Sequence, residues 1–147
     1  LQKIRLDENL TYDIRIPEEM EDCLIPKLII QPLVENCIRH GFQRKAALDI
    51  RISGELSGAD AVLRVTDNGD GISEEVLEKI NKKLESSEMP TDAHIGLQNT
   101  HCRLRLTYGE PYGIQISSRE KIGTEILIRF PARRGGTEDV SGSDSGR

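Results

Sequence analysis

No stretch of this 147-residue chain approaches the ~20 consecutive apolar residues of a membrane-spanning helix. The N-terminus also lacks the basic, apolar and small-residue succession of a signal peptide. A soluble protein is therefore expected, and the abrupt start at Leu1, without methionine, suggests an excised fragment. Cysteine is scarce: Cys23, Cys37 and Cys102 are odd in number, far apart and without zinc spacing. Two of them sit in apolar runs, so they read as buried reduced thiols in a cytosolic setting. Positive charge is in deficit, 20 Lys and Arg against 25 Asp and Glu for a net −5, which argues against general nucleic-acid binding. It does not exclude one polyanionic nucleotide, because local amides, a few cations and a metal ion decide that. There is no internal repeat. What is present is 36% hydrophobic and 31% charged residues, a globular composition in a length that suits one domain with a real core.

Periodicity supplies the elements. Leu10, Tyr12, Ile14 and Ile16 alternate with polar neighbours up to Pro17, which predicts a half-buried strand. From Pro26 to His40 the apolar positions Ile30, Leu33, Val34, Cys37 and Ile38 follow a helical rhythm, interrupted at Pro32 and ended by Gly41. Strands follow at Leu48, Ile50 and Ile52 and over 61–66, with Ser57-Gly58-Ala59-Asp60 as their turn. Ser73 has the look of an N-cap for a helix whose stripe is Val76, Leu77, Ile80 and Leu84. Residues 85–95 lack periodicity and read as a mobile loop, and a third helix is expected from near Gly96 to Thr107. Tyr112, Ile114 and Ile116, then Thr124, Ile126, Ile128 and Phe130, make a closing hairpin. The expected fold is a two-layer α+β sandwich, a mixed but mostly antiparallel five-stranded sheet covered on one face by three helices. It occupies residues 1–132, with a disordered polar tail over 133–147.

Four clusters could carry chemistry. Glu35-Asn36-Cys37-Ile38-Arg39-His40-Gly41 sets Asn36, Arg39 and His40 together on one helix side. An amide oxygen suits Mg²⁺ and the basic groups suit phosphate, although an ordinary amphipathic helix explains this cluster better when it is taken alone. Asp67-Asn68-Gly69-Asp70-Gly71-Ile72 joins a strand-ending carboxylate to glycines that permit positive φ or close approach. It is also a common turn composition. A calcium loop is rejected, since Ile72 stands at the position that needs glycine. His94-Ile95-Gly96-Leu97-Gln98-Asn99 opens a helix whose free amides could bind phosphate. Gly123-Thr124 begins the last strand, where a hydroxyl could assist Asp67, and a turn glycine explains it equally well.

In this order the four resemble the asparagine box, Asp-x-Gly-x-Gly box, lid, Gly-Leu box and late Gly-Thr of the gyrase, chaperone and histidine-kinase ATPase superfamily, the Bergerat fold. The run from Ile25 to Asn36 is similar to the "P-x-L-x-x-Q-P-L-V-E-N" run of the histidine kinases that include sugar-related and cell-wall-related sensors. Gly96-Leu97-Gln98-Asn99 with Arg103-Leu104 matches their "G-L-x-N-x-x-x-R-L". The resemblance covers roughly Leu1 to Pro131. It implies ATP and Mg²⁺ as ligands: Asn36 on the metal, and Asp67 on the adenine amino group in a pocket shaped by Gly69, Gly71 and Ile72. It also implies Gly96 and Leu97 amides on phosphate, Thr124 near the base, Arg39 and His40 as phosphate contacts, and Glu35 orienting Asn36 or polarising the acceptor. The roles of Arg39, His40 and Arg103 stay open.

Two departures bear on mechanism. His94 stands where many members have glycine. Pro32 stands where the gyrase and chaperone branches carry a water-activating glutamate, four residues before Asn36, and proline cannot act as a base. That favours phosphoryl transfer to a protein over hydrolysis. The three histidines are followed by Gly41, Ile95 and Cys102, not the Pro-His-Phe setting of the phosphorylated histidine. The expected protein is thus the catalytic domain of a sensor histidine kinase, inactive in self-phosphorylation by itself. Its phosphoacceptor and dimerisation helices and any membrane anchor would lie upstream, and a response regulator downstream in the pathway, with no nucleic acid and no membrane contact by the fragment. The alternatives are a non-catalytic nucleotide-binding module and a serine kinase of the anti-sigma type.

Overall fold

The computed structural model describes residues 2–7, 9–21, 33–35, 37–38, 47–86 and 95–132. Among the described residues six strands form one sheet: β1 (Gln2–Asp7), β2 (Leu10–Arg15), β3 (Leu48–Ser57), β4 (Asp60–Asp67), β5 (Gly113–Arg119) and β6 (Gly123–Pro131). Their spatial order is β1-β2-β3-β4-β6-β5, with β2–β3 parallel and every other pair antiparallel. The five expected strands are all here, and β1 adds a sixth at the edge. The helices are α1 (Glu18–Glu21), α2 (Glu74–Glu85) and α3 (Ile95–Tyr108). Residues 33–35, 37 and 38 are also helical. The rest of the helix expected over 26–40 lies outside the described residues, as do positions 87–94 of the loop expected over 85–95, whose ends Glu85 and Ile95 are helical, and the tail expected over 133–147.

Strand alternation decides which face is covered. Ile50 and Ile52, Ala61, Leu63 and Val65, Ile114 and Ile116, and Ile126, Ile128 and Phe130 are all buried. They point to one face, as period-2 strands require, and α1, α2 and α3 pack there. The core sits between these layers and includes Met20, Leu33, Cys37, Ile80, Leu84, Leu97 and Leu104. The opposite face carries cross-strand ion pairs, Arg64–Glu125 at 2.8 Å and Arg129–Asp60 at 2.7 Å, with the Tyr112 hydroxyl donating to Asp60 at 2.8 Å. The sandwich is therefore one-sided, α+β with a mixed, mostly antiparallel sheet.

Helix ends follow their local chemistry. Ser73 is the N-cap of α2 and accepts from the Val76 amide at 3.4 Å. Glu74 and Glu75 lie in the first turn and Lys82 and Lys83 in the last, which suits the helix dipole. Ile80 and Leu84, one turn apart, bury the helix, whereas Val76, placed in the apolar stripe by periodicity, is 40% exposed. The residue lies one position from Leu77, which does reach the core. Among the described residues no helix is long and apolar enough to cross a membrane.

Candidate functional site

Register brings Asp67, Thr124 and Ser118 side by side. Asp67 on β4 is the partner of Thr124 on β6, and Thr124 is the partner of Ser118 on β5. Each continues the buried alternation of its strand, so all three lie on the helix-covered face at one end of the sheet. A shallow concavity of about 390 Å³ at this end of the sheet is lined by these three residues and by Thr66, Ser117, Arg119, Ile122, Gly123 and Glu125. Thr66, Ser117 and Glu125 belong to the opposite, open face, so it lies along the sheet's end and not beneath the helices.

Asp67 is fixed by donors from its own chain. The Gly69 amide donates to its Oδ1 at 2.9 Å, closing the kind of Asx turn that Asp-x-Gly sequences favour. The Cys37 thiol, 2% exposed, also donates to the carboxylate. Burial first, and the Asp67 charge second, push that thiol far above its ordinary range, so it stays a protonated donor. Cys37 and Cys102 are free cysteines, Cys37 buried and Cys102 half-buried, and Cys23 lies outside the described residues.

The rest of the loop is clamped between β3 and the β5–β6 turn. On one side the Asp49 amide donates to Asn68 Oδ1 at 2.8 Å. On the other, the Lys121 amide donates to the Asp70 carbonyl at 2.6 Å and the Ile72 amide to Ser118 Oγ at 2.8 Å. The two glycines at the crossings cannot be anything larger. A Cβ on Gly71, whose φ is +70°, would lie 2.0 Å from the Arg119 carbonyl oxygen, and one on Gly123 would lie 2.0 Å from that of Asp67. Gly71 thus serves a close approach by its own backbone, where sequence reasoning allowed for a ligand.

The Thr124 hydroxyl, expected to assist Asp67 at the base, lies 2.9 Å from Ser118 Oγ. Ser118 is the residue that sequence reasoning missed. The signal was available: Ile114, Ile116 and Ser118 share one face, and a serine continuing a buried apolar alternation needs hydrogen-bond partners. Ile72 packs against the core, and its amide is engaged by Ser118. Gly96 is exposed in the first turn of α3 and Leu97 is buried, its side chain filling the core. Glu35 is helical and exposed between buried Leu33 and Cys37. Asn36, Arg39 and His40 lie outside the described residues, with Pro32 and His94.

The architecture defines the class first: a one-sided α+β sandwich whose functional end gathers a strand-ending aspartate, a glycine loop and a late Gly-Thr. The chain belongs to the family described as histidine kinase-, DNA gyrase B-, and HSP90-like ATPase, whose profile matches residues 21–134. Sensor histidine kinase YesM of Bacillus subtilis is 38% identical over 136 residues, 90% of this chain and 22% of YesM. Sensor histidine kinase YpdA of Escherichia coli is 41% identical over 135 residues, 91% of this chain and 22% of YpdA. Sensor protein kinase HptS of Staphylococcus aureus is 33% identical over 138 residues, 94% of this chain and 26% of HptS. The chain spans about a quarter of the length of these relatives. Among solved structures, the nucleotide-free catalytic domain of histidine kinase ThkA matches with a TM-score of 0.59 and 21% identity, over 86% of this chain and 82% of that one. The histidine kinase domain of a blue-light activated kinase from Erythrobacter litoralis matches with a TM-score of 0.56 and 14% identity, over 86% and 53%. At such identities the likeness speaks to the fold, which is the two-layer α+β sandwich expected.

Proposed function

We propose that this chain is the ATP-binding catalytic domain of a sensor histidine kinase, which passes the γ-phosphate of ATP to a histidine on an upstream module. The observation that carries it is Asp67, a strand-end carboxylate whose direction is set by the Gly69 amide and the Cys37 thiol. A carboxylate so held accepts from the exocyclic amino group of adenine without rearranging. Membership of the ATPase family and the sensor kinases among the relatives support the same reading.

Among the described residues no three carboxylates, imidazoles or thiols converge on a metal site. A Mg²⁺ would be held mainly by nucleotide phosphates and water, as this ion prefers, with one protein oxygen from Asn36. The ion supplies charge neutralisation on the phosphates. The chain's own residues bind and orient: Asp67 and Thr124 at the base, Gly69, Gly71 and Ile72 around it, the Gly96 and Leu97 amides on phosphate. Arg39 and His40 would contact phosphate oxygens, and Glu35 would orient Asn36 or polarise the acceptor. Phosphoryl transfer of this kind is mostly positioning and electrostatics. The whole protein would add dimerisation helices, a membrane anchor and a response regulator as recipient.

The test is calorimetric titration with ATP, with and without Mg²⁺, beside Asp67→Asn. The variant keeps the volume and turns one acceptor into a donor that faces the amino group. Affinity should fall by roughly 10- to 100-fold, the value of a hydrogen bond to a charged group. A folded chain that binds no ATP, or binds it equally well as Asp67→Asn, would sink the reading.

A further inference from the structure

Ser118 Oγ has three neighbours. It accepts from the Ile72 amide at 2.8 Å, donates to the Gly123 carbonyl at 2.9 Å and lies 2.9 Å from Thr124 Oγ1. A serine hydroxyl has one proton and two lone pairs. An amide only donates and a carbonyl only accepts, so the proton goes to Gly123 and one lone pair to Ile72. The contact with Thr124 is then made by the Thr124 proton, which fills the second lone pair. Thr124 keeps only lone pairs for any other partner, and its hydroxyl has no further hydrogen bond among the described residues. Its register neighbour on the other side is Asp67, also an acceptor.

We propose that Ser118 is a positioning residue for base selection: by holding the Thr124 proton it makes Asp67 and Thr124 an acceptor-only floor for the purine. This rests on the ATP reading above and names the residue that sharpens it. A 6-amino group brings two N–H donors to two acceptors. A 6-oxo group brings lone pairs to lone pairs, and a buried pair of acceptors without a donor is what a polar site rejects most strongly. Ser118 touches neither base nor phosphate in this account and acts through Thr124. The Ile72 bond ties the same hydroxyl to the glycine loop, so the loop and the proton direction are set by one atom.

Calorimetry of the whole chain with Mg²⁺-ATP and Mg²⁺-inosine triphosphate tests this, because the inosine nucleotide has a 6-oxo group and an N1 proton. The unaltered chain should prefer ATP. Ser118→Ala frees the Thr124 proton to turn toward the 6-oxo group, so the preference should narrow by about tenfold, the size of one hydrogen bond. Ser118→Thr keeps the hydroxyl and should restore it. Thr124→Val should narrow the preference as well, with Ser118→Ala adding nothing in that background. Circular dichroism checks folding, and if Ser118→Ala does not fold, an unchanged preference in Thr124→Val still overturns the inference. An unchanged preference in the variants, or equal weakening of both nucleotides, overturns the inference and leaves the ATP reading standing. A folded, unaltered chain that binds no ATP overturns both.

Discussion

A carboxylate at the end of a buried strand is unfavourable unless its oxygens find donors, and Asp67 finds them in its own loop and beneath it. The loop itself is held by backbone crossings, which makes its glycines unequal. Gly71 combines a φ of +70° with a 2.0 Å approach to the Arg119 carbonyl, whereas Gly58, at a φ of +62° in the β3–β4 turn, has open space around it. Gly71→Ala should therefore lower stability well beyond the roughly 1–3 kcal/mol of backbone strain, and weaken nucleotide binding. Gly58→Ala meets the strain alone. Thermal denaturation of the two variants compares them, and equal losses would mean that the loop yields at Gly71. Asp67, the glycines and Thr124 were legible in the sequence because their types and order are unusual together. Ser118 was not, since it is set by strand register across the β5–β6 turn, and register is invisible until the pairing is known.

At the scale of elements, strands were easier to read than helices. Each inner strand alternates, so burial follows parity. α3 buries Gln98, Thr100 and His101 beside Leu97 and Leu104, and a helix with polar residues on its inner side gives little periodic signal. Two of those residues have partners elsewhere: the Thr100 hydroxyl donates to the Gly96 carbonyl at 2.8 Å, and His101 Nδ1 accepts from the Ile114 amide at 2.9 Å. That bond needs an unprotonated Nδ1 and ties α3 to β5. Burial chiefly, then the nearby Arg105 charge, hold the His101 pKa below its ordinary value, with the Leu84 carbonyl partly offsetting them. The folded state thus favours the neutral ring, while the unfolded chain takes up a proton near pH ~6.5. The His101 contribution is intact above that pH and is lost as pH falls from there toward the lower folded pKa, by at most about 1.4 kcal/mol per pH unit. Urea denaturation between pH 7.5 and 5, compared with His101→Gln, should show a steeper acid decline in the unaltered chain. Parallel declines would place the acid sensitivity elsewhere.

For the molecule as a whole, the one-sided sheet separates two tasks. One face is apolar and covered, and it brings the ends of β4, β5 and β6 to a common edge where the candidate site lies. The other carries ion pairs in the open, each worth little by itself, which keeps that face wet and the covered face unique. This layout was legible because alternation in the strands and amphipathy in α2 agree. The edge strand β1 was not read from the sequence, although Ile4 and Leu6 alternate with Lys3, Arg5 and Asp7; so short a run becomes a strand by pairing with β2. On the function proposed above the acceptor comes from outside: His101 is buried, and none of the three histidines has a phosphoacceptor setting in sequence. Incubated alone with Mg²⁺ and ATP labelled at the γ-position, the chain should take up no label. Given a helix pair of the kind proposed upstream, label should pass to that pair and be lost in acid but kept in base, as a phosphorus–nitrogen bond to histidine requires. Acid-stable label would mean a hydroxyl acceptor and a serine kinase. Tight ATP binding with no label on any helix pair supplied would make this a nucleotide-sensing module, because positioning a γ-phosphate without a recipient accomplishes only binding.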